Sequence, residues 1–395
     1  MSSLGVEPLG VEDPLRVLPG LESELMHRWF VWDAWTAGKR RVDLHPFVLS
    51  EEAHARAIRT AQRAWDLVKD AGDRHEAAHY RFHPDVERLA ALAKDRTAMV
   101  RVDLLLQHDG RWVACEVNAD CPGGYNETIA LPRLARRAGA KGVEPPNPAA
   151  LLADKLVALS RNAPVALMYA TGYAEDLQVC ALLERLIRER GGRTVRISPA
   201  MLTACGPNGE HVGVRGEPVH ALYRFYPLEY MAEQKNLDAI ARATASGSLT
   251  SVSSFACIYA QSKLAMARAF AHDTHADDAF PETHAFGGLD PSRIVRERSG
   301  WVLKRDLSRV GDHVYVGALM SDAEWAEVVD EVASVPDQTW IAQRFVPQRT
   351  VSTPRGWRYL TLGVYLLDGD FAGYFARFSE TSHCSHEALV LPVFV

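Results

Sequence analysis

No run of apolar residues in this chain approaches the about 18 that a membrane span needs. Six cysteines (Cys115, Cys121, Cys180, Cys205, Cys257 and Cys384) are scattered without a single CxxC pair, which gives little ground for a disulfide framework or a zinc site. A basic field is missing as well. Lys and Arg number 44 against 50 Asp and Glu, for a formal charge of −6, so the electrostatic footprint of a nucleic-acid binder is absent. There is no internal repeat and no low-complexity tract. The opening MSSLGVEPLGVEDPL is acidic and broken by proline, unlike a secretory leader. These absences leave a cytoplasmic globular protein as the expectation.

What is present is enough for a large core. The 395 residues are 47% apolar and 24% charged, the ordinary balance of a folded chain with room for two or three domains. Residues 1–22 read as a flexible arm, and WFVWDAW (29–35) as an aromatic cluster for packing or a cleft wall. From Ser50 the spacing of Ile58, Ala61, Trp65 and Val68 predicts a helix. Ser50 is its candidate cap, but Ala53 stands where a capping box needs Glu or Gln. A second helix is expected after Pro84, and ETIALPRLARRAG adds another. PVALMYA, EDLQVCALLERLIRERGG and RTVRISP form a β-α-β unit, which implies a parallel sheet. It lacks the GxGxxG of a dinucleotide site. Helix returns through 259–273. Strands are expected at WVLKRDL, HVYVGAL, TWIAQRFVP and YLTLGVYLLDGDFAGYFARF, the last folded at a DGD turn.

The stretch RVDLLLQHDGRWVACEVNADCPGGYNE (101–127) holds Arg101, Asp103, Glu116, Asn118, Asp120 and Glu127 inside segments otherwise apolar enough to be core strands. It reads as strand, tight turn and strand. A side-chain period of two puts Arg101 and Asp103 on one face and Glu116 and Asn118 on one face of the returning strand. As hairpin partners these would bring two carboxylates and an amide oxygen beside one arginine. Oxygen ligands of this kind suit magnesium, which commonly bridges carboxylates and substrate phosphates. A solvated hairpin face with an Arg–Asp pair is the other reading, and the pattern alone leaves both open. Phosphates would need cations. Lys304 ends the strand WVLK, where an inward ammonium needs partners, and Lys263 lies on a helix approach, where a plain surface lysine is the alternative.

The run RVD…EVNADCPGGYNE resembles the signature of glutathionylspermidine synthase and related ATP-grasp carboxylate–amine ligases. Further runs resemble the family in the same order from about residue 29 onward: HALYRFYPLEYM, QSKLAMARAF, FPETHAF, WVLKRDLSRVGDHV, WIAQRFVP and GVYLLDGDFAGYFARFSE. The resemblance implies an α/β, ATP-grasp-like fold in circularly permuted order. After the arm at 1–22, residues 23–160 would hold N-terminal helices and the metal-binding strands, 161–232 an inserted pre-ATP-grasp β-α-β domain, and 233–395 the ATP-binding part. It implies ATP and Mg2+ as cofactors, with a small-molecule carboxylate and an amine as substrates. Asp103, Glu116 and Asn118 would hold the metal. Arg101 and Arg377 would be catalytic, stabilising the transferring phosphoryl group. Lys263 and Lys304 would contact phosphates, while Gln343, Phe345 and Val346 would line the adenine pocket. Two stretches depart from the family pattern. Ser308-Arg309-Val310-Gly311 replaces a glycine-richer loop after the second lysine, and Phe378-Ser379 stands where a Glu-Ser pair is usual, with Glu380 one step later.

The expected reaction is therefore ATP-dependent amide or peptide-bond formation through an acyl phosphate. A nucleotide-sensing protein of the same fold and a small-molecule kinase are the alternatives. Glu127 and Asp120 are the candidate proton acceptors for the amine. The histidines of AHDTHADDAFPETH and of HCSH (383–386) read as loop residues, because nothing fixes their geometry for a metal.

Overall fold

The computed structural model describes residues 4–36, 38–74, 80–308, 311–335 and 339–395. Arg309 and Val310, in the loop where the sequence departs from the family, lie outside them. Where an apolar face alternates with a polar one, the chain has built a sheet with one side in the core. Strands Met99–Leu106, Trp112–Asn118, Gly356–Leu367, Asp370–Ser379 and Leu389–Leu391 form an antiparallel sheet, joined by Thr350–Thr353 at its margin. Met99–Leu106 lies inside it, between Trp112–Asn118 and Gly356–Leu367. Val100, Val102, Leu104, Leu362, Val364 and Ala376 are buried on one face. Arg101, Asp103, Gly363 and Arg377 fall on the other by the same period of two.

Helix Glu51–Asp73 packs on the apolar face. Ser50 caps it, its hydroxyl accepting from the Ala53 amide at 3.2 Å, and Glu51 and Glu52 favour the positive end. Its buried stripe runs through Ala53, Ala57, Ala61, Ala64, Trp65 and Val68, with Ile58 at its flank. Helix Pro84–Leu92 begins on its proline, and Tyr125–Arg137 follows the hairpin loop. The β-α-β unit is as expected. Val165–Tyr169, helix Ala174–Glu189 and Thr194–Ile197 join Ala221–Phe225 and Thr250–Val252 in a four-stranded parallel sheet. A small three-stranded sheet, Thr203–Cys205, His211–Val214 and Glu217–Val219, stands beside it.

Strands Thr283–Ala285, Trp301–Arg305, Val314–Val316 and Trp340–Arg344 make an antiparallel sheet with its own core of Trp301, Trp325, Trp340, Ile294 and Leu303. Two chain stretches differ from expectation. The first residues pack rather than hang free: Gly5–Val6 pairs with Phe47–Val48, and Leu15, Leu21 and Leu25 are buried. Enough apolar side chains stand between the prolines to anchor the segment. The aromatic cluster divides, with Trp29 in the core and Trp32 and Trp35 exposed. All six cysteines are free. Among the described residues, no helix is long and apolar enough to cross a membrane.

Candidate active site

The hairpin register decides which side chains meet. Arg101 lies opposite Asn118 and Asp103 opposite Glu116; a bulge then leaves Cys115 without a partner in the ladder. Asp103, 2% exposed, takes a two-point grip from Arg101, Nε to Oδ1 at 2.7 Å and Nη2 to Oδ2 at 3.0 Å. Oδ2 also accepts from Arg377 Nη2 at 2.7 Å and from Asn118 Nδ2 at 3.2 Å. Arg377 reaches over the strand Gly356–Leu367, and Gly363 makes room for the group. A Cβ there would stand 2.7 Å from Arg101 Cδ and 3.1 Å from Asp103 Oδ1. Arg101 and Arg377 both lie against the Phe375 ring, and Arg101 Nη1 donates to the Gly123 carbonyl at 2.9 Å.

Burial alone would raise the Asp103 pKa, but the two guanidiniums outweigh it and hold the carboxyl at about 2. Burial likewise works against the charge on both arginines. The Asp103 carboxylate more than offsets this, so both titrate above their ordinary value. Cys115 is pushed up to about 12, chiefly by burial, which makes it an inert thiol.

The two lysines come to the same edge of the hairpin. Lys304 crosses from the sheet of Trp301–Arg305, its Nζ donating to the Cys115 carbonyl and to Gln343 Oε1, both at 2.8 Å. The bulge supplies that carbonyl. Lys263, 2% exposed, ends the break between helices Ile258–Gln261 and Leu264–His272. Its Nζ stands 3.3 Å from Glu116 Oε1, and its backbone amide donates to Asp306 Oδ1 at 2.7 Å. Gln343 is thus beside Lys304, and it donates to Thr283 Oγ1 at 3.0 Å. Phe345 and Val346 lie past the strand end and are half-buried. The Phe345 amide donates to the Gly300 carbonyl, at the opposite end of strand Trp301–Arg305 from Lys304.

Four cations, Arg101, Arg377, Lys263 and Lys304, therefore meet three carboxylates, Asp103, Glu116 and Asp306. Lys304 has only neutral oxygens for partners. Such an edge attracts an anion. The donor set Asp103, Glu116 and Asn118 is oxygen-only, so it suits magnesium in kind. In this arrangement guanidinium and ammonium groups stand at the carboxylate oxygens. Among the described residues, no three His, Cys, Asp or Glu side chains gather as a metal set.

The partners of several of these residues carry no signal in the sequence. Asp120, a candidate proton acceptor, is buried in an ion pair with Arg224 from the parallel sheet, and its Oδ2 accepts from the Leu228 amide at 3.0 Å. Gln261 Oε1 accepts from the Ala119 and Asp120 amides at 2.7 and 2.9 Å, fixing the same loop. Glu127 is buried against Arg41 at 2.7 Å; burial and nearby Asp33 raise its pKa, and Arg41 opposes them. His383, read as a plain loop residue, has its ring against Gly311, and burial and Lys304 keep its pKa low. Alternation and spacing cannot reveal such partners, because they come from segments distant in the chain.

A family model described as glutathionylspermidine synthase preATP-grasp matches residues 84–395, a span that takes in Arg101, Asp103, Glu116, Asn118, Lys263, Lys304 and Arg377. The chain belongs to the glutathionylspermidine synthase family. No curated protein matches it in sequence. Among solved structures, a glutathione synthetase-like effector of Globodera pallida, in its apo form, superposes with a TM-score of 0.63. It is 11% identical, over 97% of this chain and 98% of that one. That likeness is one of fold, and it agrees with the α/β, ATP-grasp-like architecture that the family brings with it. A protein of Methylobacillus flagellatus assigned as a gamma-glutamylcysteine synthetase is 12% identical over 86% of each chain, with a TM-score of 0.43.

Proposed function

We propose that this member of the glutathionylspermidine synthase family is an ATP-dependent carboxylate–amine ligase that forms an amide or peptide bond and releases ADP and phosphate. The observation that carries the reading is the convergence of Arg101 and Arg377 on one buried carboxylate, with Lys304 beside them on neutral oxygens alone. A carboxylate is a poor electrophile, and a phosphoryl group taken from ATP converts one of its oxygens into a leaving group. The amine then adds at the acyl carbon and phosphate departs. Catalysis of this kind rests on positioning and charge neutralisation, so no protein nucleophile is required. Arg101 and Arg377 would face the phosphoryl group in transfer, and Lys263 and Lys304 the phosphates that remain. Asp103, Glu116 and Asn118 would hold magnesium, which when bound neutralises phosphate charge. Gln343, with Phe345 and Val346, would border the base. The circularly permuted order and the division at residues 160 and 232 belong to this reading. So does a cytoplasmic setting, in which six free thiols persist.

A non-catalytic nucleotide-binding protein is the second reading, favoured by the saturation of Asp103 with four donated hydrogen bonds. Incubation with magnesium-ATP, a pool of carboxylic acids and hydroxylamine separates the two. Hydroxylamine attacks the acyl phosphate, phosphate leaves, and the hydroxamate names the acid by mass spectrometry. The ligase reading expects hydroxamate from wild type and none from Arg101→Ala. ATP binding without ADP release supports the sensor, and a stable phosphorylated product marks a small-molecule kinase. Either result overturns the ligase.

A further inference from the structure

Away from that site, a cavity of about 540 Å³ opens along the edge strand Thr194–Ile197 of the parallel sheet, against the hairpin His211–Val214 and Glu217–Val219. Its volume is that of a small-molecule pocket. The floor is apolar, with Val214 and Val219 buried and Val195 beside them. The rim carries four guanidiniums, those of Arg188, Arg193, Arg196 and Arg215.

Their counter-charges are too few. Glu217 pairs with Arg193 at 2.5 Å, while Glu184 alone serves Arg188 at 2.5 Å and Arg196 at 2.9 Å. For Arg215 no ion pair is found among the described residues. Four cations against two carboxylates leave two positive charges in excess, in a chain whose formal charge is −6. A further observation concerns the hairpin that walls the cavity. Arg215 stands at φ 54 and Gly216 at φ 85 in the two-residue turn that closes the hairpin. The first place of that turn favours Asn, Asp or Gly. A bulky residue in left-handed backbone is uncommon and points to a use for its side chain.

We propose that this cavity binds a small organic anion with a doubly charged head on an apolar body, such as a phosphate monoester. The head meets Arg196 and Arg215 at the open edge of the strand, and the body lies against the hairpin at Val214 and Val219. Guanidinium is suited to the head, because its fork presents two parallel donors to phosphate oxygens.

Calorimetry on the full chain with phenyl phosphate tests this. The expected result is saturable binding in the submillimolar range, weaker binding of inorganic phosphate, and none of phenol. The double variant Arg196→Ala/Arg215→Ala should weaken phenyl phosphate by tenfold or more, while Lys304→Ala leaves it unchanged. Arg215→Ala alone, at a turn on the surface, should weaken it with an unaltered melting curve. Absence of binding overturns the proposal. So does binding that survives both arginine variants and disappears in Lys304→Ala, which would put the phosphate at the edge of the hairpin instead.

Discussion

Asp103 is the residue on which the cluster turns, because two buried guanidiniums depend on its charge. Asp103→Asn keeps the shape and removes that charge, leaving Arg101 and Arg377 facing a neutral amide. Breaking a buried pair in this way costs about 3–5 kcal/mol, and urea denaturation should show it as a lower midpoint; a loss under about 1 kcal/mol would refute the account. The same pair predicts a pH dependence. The carboxyl sits at about 2 in the fold and near 3.9 when unfolded. Its depressed value makes its contribution complete above about pH 4 and lost as pH falls through about 2, for roughly 2–3 kcal/mol. The stability gap between wild type and Asp103→Asn should therefore narrow across that window. Arg101, Asp103, Glu116 and Asn118 were legible in the sequence because strand alternation fixes a face. That Asp103 is shared with Arg377 was not, since the two are 274 residues apart.

Two elements hold this arrangement in register. Strand Gly356–Leu367 lies between those of Asp103 and Arg377, and only a glycine at 363 leaves room for both side chains. Gly363→Ala should shift Arg101 by a few tenths of an ångström or more. On the ligase reading the expected outcome is a loss of turnover, reaching on the order of 100-fold where the displacement reaches about 1 Å, with an unchanged far-ultraviolet circular dichroism spectrum; full turnover would contradict it. The loop after Trp112–Asn118 is tied to strand Ala221–Phe225 by Asp120 and Arg224, whose side chains are 1% and 0% exposed. Either partner replaced alone should cost about 3–5 kcal/mol, and replacing both by apolar residues much less than the sum. A double-mutant cycle in urea measures the coupling, and additive losses would show the pair to be idle. Most elements were legible, because the β-α-β unit and both hairpins announce themselves by period and turn. The packed start of the chain was not, since Gly5–Val6 gains its pairing from Phe47–Val48 and no local pattern records that.

At the scale of the molecule, the central sheet joins strands within residues 99–118 to strands within residues 350–391, and ordering so distant a pairing is slow. If the chain binds nucleotide as proposed, that binding should return in refolding from urea only with the last phase, when Asp370–Ser379 has docked. Recovery in the first milliseconds would show that the hairpin binds alone. Synthesis on the ribosome gives the same strand order another meaning. Between the emergence of Asp103 and that of Arg377, 274 residues apart, a nascent chain made at roughly 5–20 residues per second waits roughly 15 to 55 seconds. Until Gly356–Leu367 emerges, Met99–Leu106 has one strand neighbour, Trp112–Asn118, and the backbone groups of its other edge stay unpaired. On a crowded polysome the nearest strand is the same segment of the next chain, so pairing between copies competes with folding until Gly356–Leu367 arrives.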